Sequence, residues 1–339
     1  MPNATPKGQL AAAILAVSGL ILVSLVAFVP LATSNLESRP HALRSYDSAF
    51  AAAVRQQQSD DSVAAPSGRS IVLGHGHATA RSMVLLHGFT NSPHQFDSLA
   101  DVFYREGDNV YVPRLPNHAE RGSSPAALAR LTAEALRDAA DRAVDIGRGL
   151  GDSVIVVGLS GGGTMAVWIA QNRRDVRRAV IVAPLMSVSH VPQALEAPAV
   201  GVALRFPDIT HADPRDARQP DRELGWSTHG VGQILRLGLA ARRASVVTPP
   251  ATHDIRILLN ANDRTISRSA VLALGRRWLQ HGASVDVFEL ADSLGLPHDV
   301  IDPRQPVRRI DVVYPVVRAL ADGEVPSTRF VMSIPWGRP

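Results

Sequence analysis

The chain has 339 residues, 45% hydrophobic and 19% charged, which supplies one large buried core and excludes both a small binding module and an intrinsically disordered protein. Its net charge of +4 comes from 35 basic and 31 acidic residues that are interspersed, as at Arg137-Asp138, so the dense basic stripe needed for nucleic acid is missing and no nucleic-acid partner is expected. With no cysteine, disulfides, thiolate metal sites and a cysteine nucleophile are excluded, and the compartment is left open.

Residues 10–32 (LAAAILAVSGLILVSLVAFVPLA) carry no charge. At about 1.5 Å per residue, a helix of that length spans a hydrocarbon core of roughly 30 Å. Residues 1–33 are therefore expected to be a single-pass membrane anchor, and this N-terminal helix makes the membrane a partner. A cleaved signal peptide is the rival reading, but its apolar region is usually about 7–15 residues, and Pro30-Leu31-Ala32 is a poor cleavage site. A short tail before one apolar run places the remaining chain outside the cytoplasm. The charge bias is nearly even, with Lys7 before the run and Arg39 and Arg44 after it.

Residues 34–68 read as a juxtamembrane segment. A helix is predicted over 42–58, with Leu43, Tyr46, Phe50 and Val54 at three- and four-residue steps, and a linker over 59–68 (SDDSVAAPSG). From residue 69, strand-like runs at 70–73, 82–86, 109–113, 153–157, 179–182, 255–260 and 284–290 alternate with helical patterns at 95–105, 126–148, 161–172, 267–281 and 307–321. Several of these strands are apolar on both faces (VIVV, VIV, ILL), as strands buried in a parallel sheet are. The alternation predicts an α/β fold with a doubly wound, mostly parallel sheet over 69–321. Residues 184–250 break the rhythm and read as a cap insertion over the carboxyl edge of the sheet, with 231–243 its most helical part. Residues 322–339 form a C-terminal tail. Gly74-His75-Gly76-His77 joins two early strands and reads as a hairpin turn, since it lacks a following helix and further metal ligands.

The chemistry gathers at loops after strands. Gly158-x-Ser160-x-Gly162 lies between an apolar strand and a helix, the pattern of a nucleophile elbow, in which glycines let a serine sit in a sharp turn. The predicted strand at 82–86 runs into His87-Gly88-Phe89, so the backbone N–H groups of Phe89 and Gly161 are the expected oxyanion donors. His87 itself reads as structural. A serine nucleophile needs a base and an orienting carboxylate. Asp263 lies just beyond the strand at 255–260, and His298, alone among the 12 histidines, lies in the loop directly after the last predicted strand. Asp254, Asp292 and Asp299 are rival acids. Asp254 precedes its strand and so emerges at the wrong end of the sheet, and Asp299 is next to His298 in sequence, which turns its side chain away from the ring.

The segments HGFTNSP (87–93), PRLPNHA (113–119), GLSGGG (158–163), NDRTIS (262–267) and PHDVID (297–302) resemble the α/β-hydrolase superfamily, in particular its bacterial carboxylesterase, monoacylglycerol-lipase and serine-aminopeptidase-like branch. The resemblance covers roughly residues 69–321. It implies a catalytic set of Ser160 nucleophile, Asp263 acid and His298 base, with Phe89 and Gly161 at the oxyanion hole and 184–250 as the cap. It departs in two places: His118-Ala119 stands where the family commonly has His-Gly, and Gly161 where a bulkier residue is frequent. The expected function is a serine hydrolase acting on a small-molecule ester or acyl substrate, with no metal and no cofactor. A peptidase or amidase with the same residues, or a membrane-tethered binding protein with a retired site, are the alternatives. An epoxide hydrolase or dehalogenase would need a carboxylate where Ser160 stands.

Overall fold

The computed structural model describes residues 6–122, 124–189, 191–212 and 225–336. The first helix, α1 (Pro6–Ala27), takes in only part of the apolar run and ends ahead of Pro30. The residues after it are tied to the body. Arg205 donates to the carbonyls of Val26 and Pro30, Arg243 to Leu31 and Arg236 to Ala32, while Ala27 and Leu31 are buried. Among the described residues no helix is long and apolar enough to cross a membrane. The expected anchor at 1–33, the single-pass membrane location and the membrane as a partner are therefore corrected, and the expected extracytoplasmic placement loses the anchor it rested on. Hydropathy counts apolar side chains, but it does not register the arginines that bind the carbonyls behind the helix.

The strap continues across the body: Leu36 is buried, and its carbonyl accepts the Trp168 indole N–H at 2.8 Å. Helix α2 (Tyr46–Val63) begins at a cap in which Ser45 accepts the Ser48 N–H. It extends through the first half of the predicted linker because Asp60 is buried there and holds the backbone and hydroxyl of Ser70 (2.8 and 2.6 Å) and the Arg114 guanidinium (2.9 Å).

From there the chain runs β1 (Ile71–Leu73), β2 (Thr79–Leu86), α3 (Asp97–Arg105), β3 (Asn109–Val112), α4 (Pro125–Leu128), α5 (Ala133–Leu150), β4 (Gly151–Leu159), α6 (Gly161–Asn172) and β5 (Val176–Val182). The insertion holds α7 (Gln193–Arg205), a two-stranded ribbon of β6 (Thr210–Ala212) and β7 (Gly225–Ser227), and α8 (Thr228–Val247). Residues 213–224 of the insertion lie outside the described residues. The main sheet resumes with β8 (Asp254–Asn260), α9 (Arg268–Gln280) and β9 (Ser284–Leu290), followed by α10 (Ile310–Asp322) and β10 (Val331–Ser333). The single helix expected over 126–148 is two, because Thr132 caps α5 by accepting the Ala135 N–H.

The eight-stranded sheet has the order β1-β3-β2-β4-β5-β8-β9-β10. Its two edge strands pair antiparallel and all inner pairs are parallel. This is the mostly parallel sheet that the sequence pattern predicts. Since β1 pairs with β3 and not with β2, the 74–77 segment is a crossover and not a hairpin; His75 stacks on Tyr104 with ring centroids 4.2 Å apart. Val84, Val156, Val180 and Ile257, in neighbouring inner strands, are buried with both faces of the sheet covered. Parallel pairing brings the carboxyl ends Leu86, Leu159, Val182, Asn260 and Leu290 to one edge, so the loops that follow them face the same space.

Candidate active site

At the end of β4 the chain turns sharply into α6, and Ser160 takes φ 56° and ψ −113°. Such a conformation costs a non-glycine residue about 1–3 kcal/mol and persists only where its surroundings hold it. Here the Ser160 N–H donates to Val182 O at 3.0 Å, and the Ser160 carbonyl accepts the N–H groups of Thr164 (2.9 Å) and Leu185 (3.1 Å). The flanking glycines are forced by contact. A Cβ at Gly158 would lie 2.2 Å from Gly162 O, and one at Gly162 would lie 2.0 Å from Leu86 O. A Cβ at Gly161 would stand 3.0 Å from Phe89 N, so the backbones of the two expected oxyanion donors lie against each other.

Asp263 and His298 follow β8 and β9, which are neighbours in the sheet. His298 Nδ1 lies 2.6 Å from Asp263 Oδ2. Asp263 Oδ1 accepts the Thr265 N–H at 2.8 Å. Burial of Asp263 opposes its ionisation, but the hydrogen bond and charge of His298 and the nearby backbone N–H groups outweigh it, and its pKa lies below the usual carboxylate range. The other ring nitrogen, His298 Nε2, is buried and has no hydrogen-bond partner among the described residues. His298 and Ser160 both line a cavity of about 350 Å³, with apolar walls from Phe89, Leu185, Trp226 and Val231. Larger open depressions beside Arg268 (about 550 Å³) and Arg39 (about 470 Å³) lie away from these groups.

The structure thus places all five predicted residues at one edge of the sheet. It places the rival acids elsewhere. Asp254 begins β8 and pairs with Arg178 and Arg256, Asp292 is exposed in a 3-10 turn, and Asp299 is buried and engaged by amide donors. His87 is bonded through both nitrogens: Nε2 accepts the Leu115 N–H at 3.1 Å and Nδ1 lies 3.0 Å from Gly88 O. Burial, with the charge of His118, holds its pKa well below the usual histidine value.

Two supporting residues escaped the sequence reading. Asn260, the last residue of β8, donates from Nδ2 to Leu296 O (3.0 Å) and Pro297 O (2.8 Å), pinning the segment just before His298. Gln95, in the 3-10 turn 93–96, accepts the Gly88 N–H at 2.8 Å. Asn260 closes the predicted strand 255–260 and Gln95 opens the predicted helix 95–105, and nothing in spacing or periodicity marks either amide as a support of the site.

Comparison with known proteins bears on the family and the fold. The model of the alpha/beta hydrolase family matches residues 83–311. A thermostable monoacylglycerol lipase of Bacillus sp. (strain H-257) is 25% identical over 166 residues, covering 46% of this chain and 59% of that lipase, so the chain spans well under two thirds of the relative's length. Among solved structures, one from a study of the metagenome-derived lipolytic enzymes LipS and LipT superposes with a TM-score of 0.57 at 17% identity, over 77% of this chain and 100% of that one. The Paleococcus ferrophilus monoacylglycerol lipase gives 0.55 at 16%, over 75% and 98%. At these identities the two structures speak for the fold.

Proposed function

This chain belongs to the alpha/beta hydrolase family, and on that premise we propose that it is a serine hydrolase that cleaves carboxylic esters through an acyl-enzyme on Ser160. The observation that carries the proposal is the 2.6 Å Asp263–His298 pair, whose histidine lines the same cavity as the strained Ser160.

In the proposed reaction His298 Nε2 takes the Ser160 hydroxyl proton as Oγ attacks the ester carbonyl. Asp263 holds the Nδ1–H and stabilises the imidazolium. The N–H groups of Phe89 and Gly161 receive the oxyanion, a role worth about 100- to 1,000-fold in rate per donor. Collapse of the tetrahedral intermediate expels the alcohol, which leaves with the proton from His298. Water, deprotonated by His298, then attacks the acyl-enzyme and releases the acid. Ester and water are the only reactants, so no metal or cofactor enters the balance.

An ester is favoured over an amide by the apolar cavity walls and by the names of the relatives, which are lipases. Residues 69–321 are the proposed catalytic unit, with 184–250 as its cap, contributing Leu185 and Trp226 to the cavity. The test is labelling with a fluorophosphonate probe and turnover of p-nitrophenyl acyl esters, comparing wild type with Ser160→Ala. Both signals are expected to vanish in the variant. Labelling that survives it would refute the assignment, and faster turnover of aminoacyl amides than of esters would replace the ester reading with a peptidase or amidase.

A further inference from the structure

Two loops that the proposed reaction must hold in register, 87–93 with the Phe89 donor and 296–302 with the His298 base, come from distant parts of the chain. They meet at a buried carboxylate. Asp299 follows His298 directly, and its Oδ2 accepts from Gln95 Nε2 at 2.8 Å, Gln305 Nε2 at 3.0 Å and Asn91 Nδ2 at 3.2 Å. Its Oδ1 accepts the backbone N–H groups of Ile301 (3.2 Å) and Asp302 (3.1 Å). The Gln95 amide is bonded at both ends, since its Oε1 accepts the Gly88 N–H at 2.8 Å. Gly88 in turn packs against the nucleophile, where a Cβ built on it would lie 3.5 Å from Ser160 Cβ. Asp299, Asn91, Gln95 and Gln305 are all buried.

We propose that Asp299 is a positioning residue: through Gln95 it fixes the backbone of Gly88 and Phe89 relative to His298, so that base and oxyanion donor move as one body. The inference rests on the serine-hydrolase reading above. Its physical ground is acceptor capacity. A carboxylate offers two acceptor oxygens, and among the described residues these five donors converge on them. An asparagine would turn an NH2 group toward donors already in place, either the side-chain amides on Oδ2 or the backbone on Oδ1. The oxyanion loop needs such a tie, because Thr90 sits at φ 67° and Gly88 precedes that bend. The His298 loop is pinned by Asn260 on one side of the histidine and by Asp299 on the other.

The test is steady-state hydrolysis of p-nitrophenyl butyrate by Asp299→Asn, Gln95→Met and the double variant Gln95→Glu/Asp299→Asn, together with inhibition by an alkyl boronic acid, whose tetrahedral adduct uses the oxyanion donors. Misplacement of a reacting group by about 1 Å is worth about 100-fold. We expect kcat to fall about 100-fold in Asp299→Asn with KM within threefold, and the boronate Ki to rise in step with the loss in kcat/KM. In the double variant, the carboxylate introduced at position 95 can accept from both the Gly88 N–H and the amide introduced at position 299, and at least a tenfold recovery of kcat is expected. If Asp299→Asn does not fold, Gln95→Met carries the test, since it cuts the tie to Gly88 and leaves Asp299 its other donors; a tenfold or larger loss of kcat at unchanged KM is expected. Near wild-type kcat in a folded Asp299→Asn or Gln95→Met, or a boronate Ki that does not follow the loss, overturns the inference while wild-type fluorophosphonate labelling at Ser160 upholds the underlying reading. Absence of that labelling in wild type sinks both.

Discussion

Asp263 and His298 are 35 residues apart in sequence and 2.6 Å apart in space, because β8 and β9 pair in register from Asp254–Ser284 to Asn260–Leu290 and release their loops at the same edge. The hydrogen bond occupies Nδ1 and leaves Nε2 as the nitrogen for the proposed proton transfer from Ser160. Asp263→Asn keeps the shape but favours the wrong tautomer, a change worth about 10⁴-fold in kcat in enzymes that use this arrangement. A loss of that order in p-nitrophenyl butyrate hydrolysis is expected, with an unchanged near-ultraviolet circular dichroism spectrum. A loss under tenfold would remove Asp263 from the mechanism.

The elbow glycines differ in what a methyl group would meet. Gly162→Ala drives a Cβ to 2.0 Å from Leu86 O and 2.5 Å from His87 O, both backbone atoms of the strand end and oxyanion loop. Gly161→Ala meets Phe89 at 3.0 and 3.1 Å, which a shift of a few tenths of an ångström relieves. Gly162→Ala is therefore expected to lose folded protein or to destabilise it by more than about 4 kcal/mol, the range reserved for severe core defects. Gly161→Ala should fold and lose part of its kcat through the displaced Phe89 donor. Similar melting temperatures for the two variants would contradict this account.

What was legible beforehand follows from the kind of constraint each residue obeys. Gly158, Ser160 and Gly162 could be read because steric exclusion at a sharp turn allows few residue types. Asp263 and His298 could be located because buried parallel strands announce themselves and the loops after them share an edge. The apolar segment 10–32 misled because its charge-free composition says nothing of the arginines at 205, 236 and 243 that take up its carbonyls. Helix α7 escaped notice because its sequence, QALEAPAVGVALR, carries an internal Pro198 and no clean polar face. Asn260 and Gln95 escaped for another reason: their work is done by hydrogen bonds to backbone carbonyls and N–H groups, which have no sequence signature at the receiving end.

His118 gives a pH dependence whose sign can be worked out. It is fully buried with Nδ1 2.8 Å from Pro116 O, and burial holds its pKa at about 4, against the ordinary 6.5. Between those values the unfolded chain takes up a proton that the folded chain refuses. The stability contributed by neutral His118 is thus complete above pH 6.5 and is lost as pH falls toward 4, on the order of 3 kcal/mol in all. His87 acts in the same direction. The melting temperature is expected to drop between pH 7 and 4.5, above the range where most carboxylates titrate, and to drop distinctly less in His118→Asn. Identical slopes would show that His118 does not carry the effect.

The two helices of the proposed cap are joined by an ion pair between Glu196 on α7 and Arg242 on α8, with both side chains buried. Burying two charges costs about as much as their attraction returns, so the pair adds little net stability, whereas removing one partner strands the other and typically costs about 3–5 kcal/mol. Glu196→Leu alone is therefore expected to lower the melting temperature and to raise KM more than it lowers kcat, because α7 and α8 lose their mutual anchor while the Ser160, Asp263 and His298 geometry stays in the sheet. Glu196→Leu/Arg242→Met, which removes both charges and fills the space with apolar groups, should recover most of the stability. The KM of the double variant decides what the pair is for. If KM returns with stability, the ion pair serves only to hold the helices together; if it stays high, the charged pair also sets the angle between α7 and α8, whose Val231 lines the cavity.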